Sequence, residues 1–480
     1  MTYSSFRDPE GHLIKLNNRI MRLIRESSVN DIATFLNTDS AKNFTKAEKL
    51  IKTYNIDELE IGIIKEQLGN DFFLDIHDED LIVEHEKVDF PSYPYEWSSV
   101  MLYQAAKLTL DIANASLDEG FSIKDATPYN ILFRNSKPVF IDLLSFELRD
   151  PADLIWLPHA QFSRTFILPL IACKYFDMDL SQIFITKRDG LEPEDVYSLC
   201  GVLQKMRSPF LAEVAIPTWL GRKQNNSNAL YQKRQSKNPE QARFTLKHLF
   251  GKLHNCIEKL RPSIQEQSNW SEYMSTAEHY SESDFNIKKV FVEKVIREYT
   301  PSKVLDIGCN TGHFSALAAQ NGAEVVAIDN DPVVVNRTWQ LANTGNLDIL
   351  PLVVDITRPT PAIGWRNEEC QSFLSRAEQA FDLVMMLAVI HHMMCTERIP
   401  LDEIFSLAHQ LTRDLLIIEF IPPDDPKFHQ ISRGRSHLFE HLTQDYFEKT
   451  CNKYFRILST EKLEDGKRKM YLLKRKEKKV

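Results

Sequence analysis

The order of apolar and polar positions gives the chain two parts with different rhythms. Residues 8–25 read as a hairpin, with a turn at Asp8-Pro9-Glu10-Gly11 and patchy alternation from Leu13 to Ile24. Helical spacing recurs around Ile51, Leu59 and Ile63, and a short apolar stretch follows at Phe72-Phe73-Leu74. Residues 99–115 predict an amphipathic helix. A turn at 125–129, a strand at 130–133, a turn at 135–138 and a strand at 139–143 come next. Residues 155–260 have a mostly helical pattern, with a polar, basic, exposed stretch at 222–243. The segment 265–283 is polar and short of aliphatics, although Trp270, Tyr273 and Tyr280 mark it for packing.

Beyond it the pattern changes. A helix at 286–299 leads into strands at 303–307, 324–329, 349–355, 381–387 and 415–421. Helices at 311–320, 333–343 and 401–411 fall between them. Strands alternating with helices predict a doubly wound, mostly parallel α/β sheet. The expected organisation is a first α+β domain at 1–264, a linker at 265–285 and a Rossmann-like domain at 286–480.

The chemistry concentrates where these strands end. The first strand carries Asp306 and opens onto Gly308-Cys309-Asn310-Thr311-Gly312, followed by a helix. The chain has only 15 glycines, so a pair this close stands out. Glycines let a backbone approach a ligand closely. Asp329 lies 17 residues after Gly312, at the end of the second strand, where a carboxylate can accept from both hydroxyls of a ribose. Asp355 ends the third strand, within reach of an adenine amino group. Asn330, Ile356 and Leu387 complete the expected cofactor-binding set. Dinucleotide-binding domains share the strand, the glycine loop and a later acid. Here Asp306 precedes the glycines, where it would repel a pyrophosphate and attract a cationic amino-acid moiety. The loop after the fourth strand holds His391 and His392. A histidine there serves as a general base, or it caps a helix. Glu419 ends the fifth strand, with Asp424 shortly after it. Either binds substrate or caps. The sequence shows too few convergent ligands for a metal site.

Composition narrows the partners. With 43% hydrophobic and 26% charged residues the chain is globular. A net charge of −9 and no basic face disfavour nucleic acid. Seven scattered cysteines suit reduced thiols, no apolar run reaches membrane-span length, and the start is polar. The expected location is cytoplasmic.

The spacing Asp306-x-Gly308-x-Asn310-x-Gly312 resembles the first motif of class I S-adenosylmethionine-dependent methyltransferases, with Asn310 at the usual middle glycine. The block 361–366 with Glu368, Phe373 and Arg376, then 387–392 and 417–422, resembles a bacterial group of two-part methyltransferase-like proteins. Some members of that group are labelled host-specific nodulation proteins. Ser92-Tyr93-Pro94-Tyr95-Glu96-Trp97-Ser98, residues 124–131 and 270–280 are similar to the same group. The resemblance implies S-adenosylmethionine as cofactor and a small-molecule, glycan or lipid-linked acceptor. It also implies substrate contacts from Trp365, Arg376 and Tyr280.

Asp125-x-x-x-x-Asn130, followed by Phe140-Ile141-Asp142, resembles the catalytic loop of protein kinases and aminoglycoside-type phosphotransferases. The resemblance implies that Asp125 takes a hydroxyl proton and that Asn130 and Asp142 hold magnesium. Ile123-Lys124 stands where that family has its histidine pair, Asp142-Leu143-Leu144 replaces Asp-Phe-Gly, and no glycine-rich loop precedes them. A degenerate domain that binds or presents substrate is expected. The alternatives are a bifunctional kinase and methyltransferase acting on a saccharide, and a non-catalytic S-adenosylmethionine-binding protein. Tyr93, Tyr95 and Trp97 line a cleft or fill a core.

Overall fold

A computed structural model describes residues 8–68, 77, 79–221, 235–263, 282–464 and 467–477. Tyr280, the apolar stretch at 72–74, the residues 270–280 and nearly all of the expected linker lie outside them. The chain divides into two compact units. One comprises residues 1–262 with 363–370, and the other 263–362 with 371–480.

The first unit opens on a four-stranded antiparallel sheet. Its strands are β1 (Gly11–Leu16), β2 (Arg19–Ile24), β3 (Thr53–Asn55) and β4 (Leu81–His85), in the order β1-β2-β4-β3. The hairpin turn is Asn17-Asn18, not the 8–11 turn that the sequence suggested. Both asparagines have positive φ, as a two-residue turn matching the strand twist requires. Ile14, Met21, Leu23, Ile56, Ile64 and Ile82 form the core on one face. The helical spacing near Ile51 marks instead a loop leading into β3, and the helix begins at Glu58. Ser99–Asp118 is a long helix whose apolar stripe is buried. Two small antiparallel ladders follow. One joins β5 (Phe121–Ile123) to β8 (Phe146–Leu148), the other joins β6 (Ile131–Arg134) to β7 (Lys137–Phe140). Helices fill the rest, ending with Pro239–Lys259. Tyr95 and Trp97 belong to the core, and the Trp97 indole donates to Ser92 Oγ at 3.0 Å.

The second unit is built on one seven-stranded sheet. Its strands are β9 (Lys303–Ile307), β10 (Glu324–Asp329), β11 (Ile349–Val353), β12 (Phe381–Met386), β13 (Thr412–Phe420), β14 (Phe455–Lys462) and β15 (Lys469–Arg475). The order is β11-β10-β9-β12-β13-β15-β14. The first five run parallel, and β15 joins β13 antiparallel. Central strands covered on both faces read as continuous apolar runs, and Val304, Leu305, Leu383, Val384, Leu416 and Ile417 are all buried. Chain progression reverses between β9 and β12. The carboxyl ends of these strands therefore open a crevice, the usual ligand position in such sheets.

Candidate active site

A cavity of about 300 Å³ lies at this crevice. That is at the low end of the range of roughly 300–1,000 Å³ found for small-molecule sites. Its wall contains Asp306, Gly308, Asn310, Asp329, Asn330, Asp355, Ile356 and Leu387, eight of the nine residues expected to bind cofactor. Gly312 stands just behind the loop and caps the helix His313–Gln320 in a left-handed conformation.

The loop's geometry explains its residues. Gly308 has φ of +73°, and a Cβ there would meet Val389 Cγ2 at 2.4 Å. Asn310 has φ of +49°, and asparagine is the non-glycine residue that best tolerates this conformation. Its side-chain oxygen accepts from Thr311 N at 2.7 Å, and its carbonyl accepts from Thr338 Oγ1 at 2.8 Å. The substitution at the middle glycine thus preserves the turn. Ala388, directly after Leu387, also has positive φ, and strain of this kind gathers at functional sites.

The acids are fixed by the backbone around them. Asp329 accepts from Asn310 N at 3.0 Å and from Asp331 N at 3.1 Å. Asp306 accepts from Ser315 Oγ at 2.6 Å. Burial, and then a neighbouring acid, Asp331 for Asp329 and Asp329 for Asp306, pushes both carboxyls up to about 6. Asp355 accepts from Thr357 N at 2.9 Å and from Thr357 Oγ1 at 2.6 Å. Acids on β9 and β10 and a third two residues past the end of β11, with a close-approach loop after the first, suit the ammonium, ribose and adenine of S-adenosylmethionine.

The histidines separate in space. His392 lines the cavity, and burial, then the cation Lys427, lowers its ring to about 4. His391 is fully buried outside the cavity wall, its ring 4.2 Å from that of His392, and neither of its nitrogens has a hydrogen-bond partner among the described residues. Burial, with His392 and the cations Arg468, Lys288 and Lys427 behind it, holds His391 far below the ordinary imidazole range. Glu419 is also fully buried, and its Oε2 accepts from Lys288 Nζ at 2.7 Å. Asp424 is exposed and pairs with Lys467 at 2.8 Å.

Lys288 escaped the sequence reading. It stands on the helix Glu282–Tyr299, lines the cavity and is 2% exposed. The signal was its place on the apolar stripe with Phe291, Val292 and Val295, at i+3, i+4 and i+7. Phe285, His313 and Phe314 form an aromatic wall, with the Phe285 and His313 rings 4.7 Å apart. Arg376 lies over the Phe373 ring at 5.7 Å. Trp365 is exposed in the 363–370 segment of the first unit.

In the first unit Asp125, Asn130 and Asp142 come together through hydrogen bonds. Asn130 Nδ2 donates to the Asp125 carbonyl at 3.1 Å and to Ser145 Oγ at 3.2 Å, and Ser145 Oγ donates to Asp142 at 3.0 Å. Arg22 on β2 pairs with the same Asp142 carboxylate at 3.1 Å.

Strand order and loop geometry define the second unit as a class I methyltransferase fold. Residues 285–459 match the family described as a methyltransferase domain. The chain is thus an enzyme of the S-adenosylmethionine-dependent methyltransferase class. It is 28% identical over 479 residues to nodulation protein NoeA of Rhizobium meliloti (strain 1021), a match covering 98% of this chain and 96% of that protein. Among solved structures, the N-methyltransferase NodS from Bradyrhizobium japonicum WM9 aligns over 41% of this chain and 99% of its own, at 13% identity and a TM-score of 0.31. The bifunctional kinase-methyltransferase WbdD aligns over 44% of this chain and 42% of its own, at 21% identity and a TM-score of 0.29.

Proposed function

We propose that the second unit methylates a hydroxyl or amine of a small-molecule, glycan or lipid-linked acceptor, and that the first unit binds or presents that acceptor. One observation carries the first half: the cavity joins the three acids to the wall formed by Phe285, Lys288, His313 and His392. When bound, S-adenosylmethionine supplies an activated methyl group, which leaves the protein to align, shield and deprotonate. Asp329 holds the ribose hydroxyls, Asp355 the adenine amino group and Asp306 the ammonium. The aromatic wall excludes water. His392 is unprotonated at neutral pH, so its lone pair orients the acceptor's O–H or N–H and takes the proton. His391 and Glu419 act from behind, by packing on His392 and by holding Lys288. Trp365, Arg376 and Tyr280 are reserved for the acceptor.

For the first unit, a degenerate kinase-like fold fits better than an active kinase. The Arg22 guanidinium supplies to Asp142 the positive charge that magnesium would bring. Calorimetric titration tests both halves. S-adenosylmethionine and S-adenosylhomocysteine should each bind the full chain at one site with micromolar affinity. Magnesium with ATP should give no heat and no hydrolysis. A folded protein that binds neither sulfur ligand would remove the methyltransferase reading, and turnover of ATP would restore the bifunctional one.

A further inference from the structure

The first unit carries a face that methyl transfer does not explain. Val202 is 81% exposed, Leu203 77% and Met206 60%, with Leu199 and Leu220 also largely in water. Val202 and Leu203 line a surface groove of about 680 Å³ together with Tyr175, Arg207 and Phe210, and Leu199 and Met206 flank these lining residues in the chain. Scattered exposed leucines need no explanation, but a contiguous group around a groove marks a binding surface.

Its rim is basic, in a chain of net charge −9. Arg207 lines the groove, and Lys205 lies over the Tyr197 ring at 3.9 Å. Lys259 donates to the groove residue Ser208 at 3.4 Å. Lys174, beside Tyr175, donates to the Lys259 and Arg261 carbonyls at 2.7 and 3.0 Å. Four cations, Lys174, Lys205, Arg207 and Lys259, therefore stand beside the groove, against Asp177, which ends the helix Leu168–Phe176, and Glu194, whose carboxylate lies beside Gly221. Neighbouring acids are engaged elsewhere: Glu258 pairs with Lys107 and Asp195 with Lys187. Glu213 is held by Ser163, and burial pushes its carboxyl up.

We propose that this face docks on an anionic lipid surface, its apolar side chains entering the headgroup layer and its cations meeting the lipid phosphates. Exposed aliphatic residues beside Lys and Arg are what interfacial binding requires, and each cation near such a surface adds to the attraction. A second copy is the poorer occupant, because a twofold contact would set these cations against themselves. Among the described residues no helix is long and apolar enough to cross a membrane, so the contact is peripheral. This inference goes beyond methyl transfer and stands without it.

The test is flotation of the full chain with phosphatidylcholine vesicles, with and without about 30% phosphatidylglycerol. Binding should need the anionic lipid and fall as salt rises. Val202→Ser with Leu203→Ser, and separately Lys205→Glu with Arg207→Glu, should each weaken it at least about tenfold. These positions are solvent-facing, and an unchanged circular dichroism spectrum together with an unchanged unfolding transition of the first unit, the one S-adenosylhomocysteine does not shift, would show that the variants fold. No binding to anionic vesicles, equal binding to neutral ones, or indifference to both variant pairs would overturn the proposal. So would a concentration-dependent dimer lost in the same variants while vesicles have no effect, because that assigns the face to a second copy.

Discussion

Asp329→Ala should weaken S-adenosylmethionine binding by at least about a hundredfold. Each hydrogen bond from a ribose hydroxyl to a buried carboxylate contributes about 1.5 kcal/mol or more, and 1.4 kcal/mol is a factor of ten. The substitution also removes the acceptor of Asn310 N and Asp331 N, which shapes the loop itself. Asp329→Asn keeps one acceptor oxygen and should fall between the two. The pH dependence adds a second signature. With its carboxyl pushed up to about 6, Asp329 is ionised above that pH and protonated below it. The wild-type affinity should therefore hold through neutrality and drop as pH falls through about 6, with Asp306 steepening the fall. Asp329→Asn should flatten this limb, leaving only the part due to Asp306. Calorimetry between pH 5 and 8, roughly the span over which such groups titrate, reads both effects. Retained affinity in Asp329→Ala would remove the carboxylate from the cofactor site.

This site was legible because its chemistry is local to strand ends. Asp306, Gly308, Asn310 and Gly312 fall within seven residues, and a β-strand before a helix already fixes where the turn must be. Asn310 looked like a departure from the motif, yet left-handed backbone is where asparagine replaces glycine with least strain. What escaped depends on distant packing. The hairpin of β14 and β15 and the helix Gln444–Tyr454 were not foreseen. β14 exposes most of its residues, so its pattern of burial is faint. Arg22 and Asp142 are 120 residues apart, and no spacing announces their pairing. Glu419 read as an acid opening onto the site, because it stands at the carboxyl end of its strand as Asp306 and Asp329 do. The fold instead turns it towards Lys288.

Glu419→Ala should destabilise the second unit by roughly 3–5 kcal/mol, the penalty for leaving a buried charge without its partner. Lys288 and Glu419 are 2% and 0% exposed, and burial already lowers the lysine, so without the carboxylate it gives up its proton at lower pH still. Lys288→Met should cost less, because Arg468 Nη1 stands 4.0 Å from Glu419 Oε1 and answers part of the charge. Arg468 cannot take over fully, since Asp425 accepts from its Nε at 2.7 Å and from its Nη2 at 3.1 Å. The double variant Lys288→Met with Glu419→Gln removes both charges and should recover most of the loss, giving a strong coupling in the cycle completed by Lys288→Met and Glu419→Gln alone. Denaturant unfolding measures this, read on the transition that S-adenosylhomocysteine shifts, because two units need not unfold together. The same variants separate two roles for Glu419. If it only holds Lys288, the double variant regains stability and retains cofactor affinity. If Glu419 removes the acceptor's proton itself, the double variant folds and binds cofactor but transfers no methyl group.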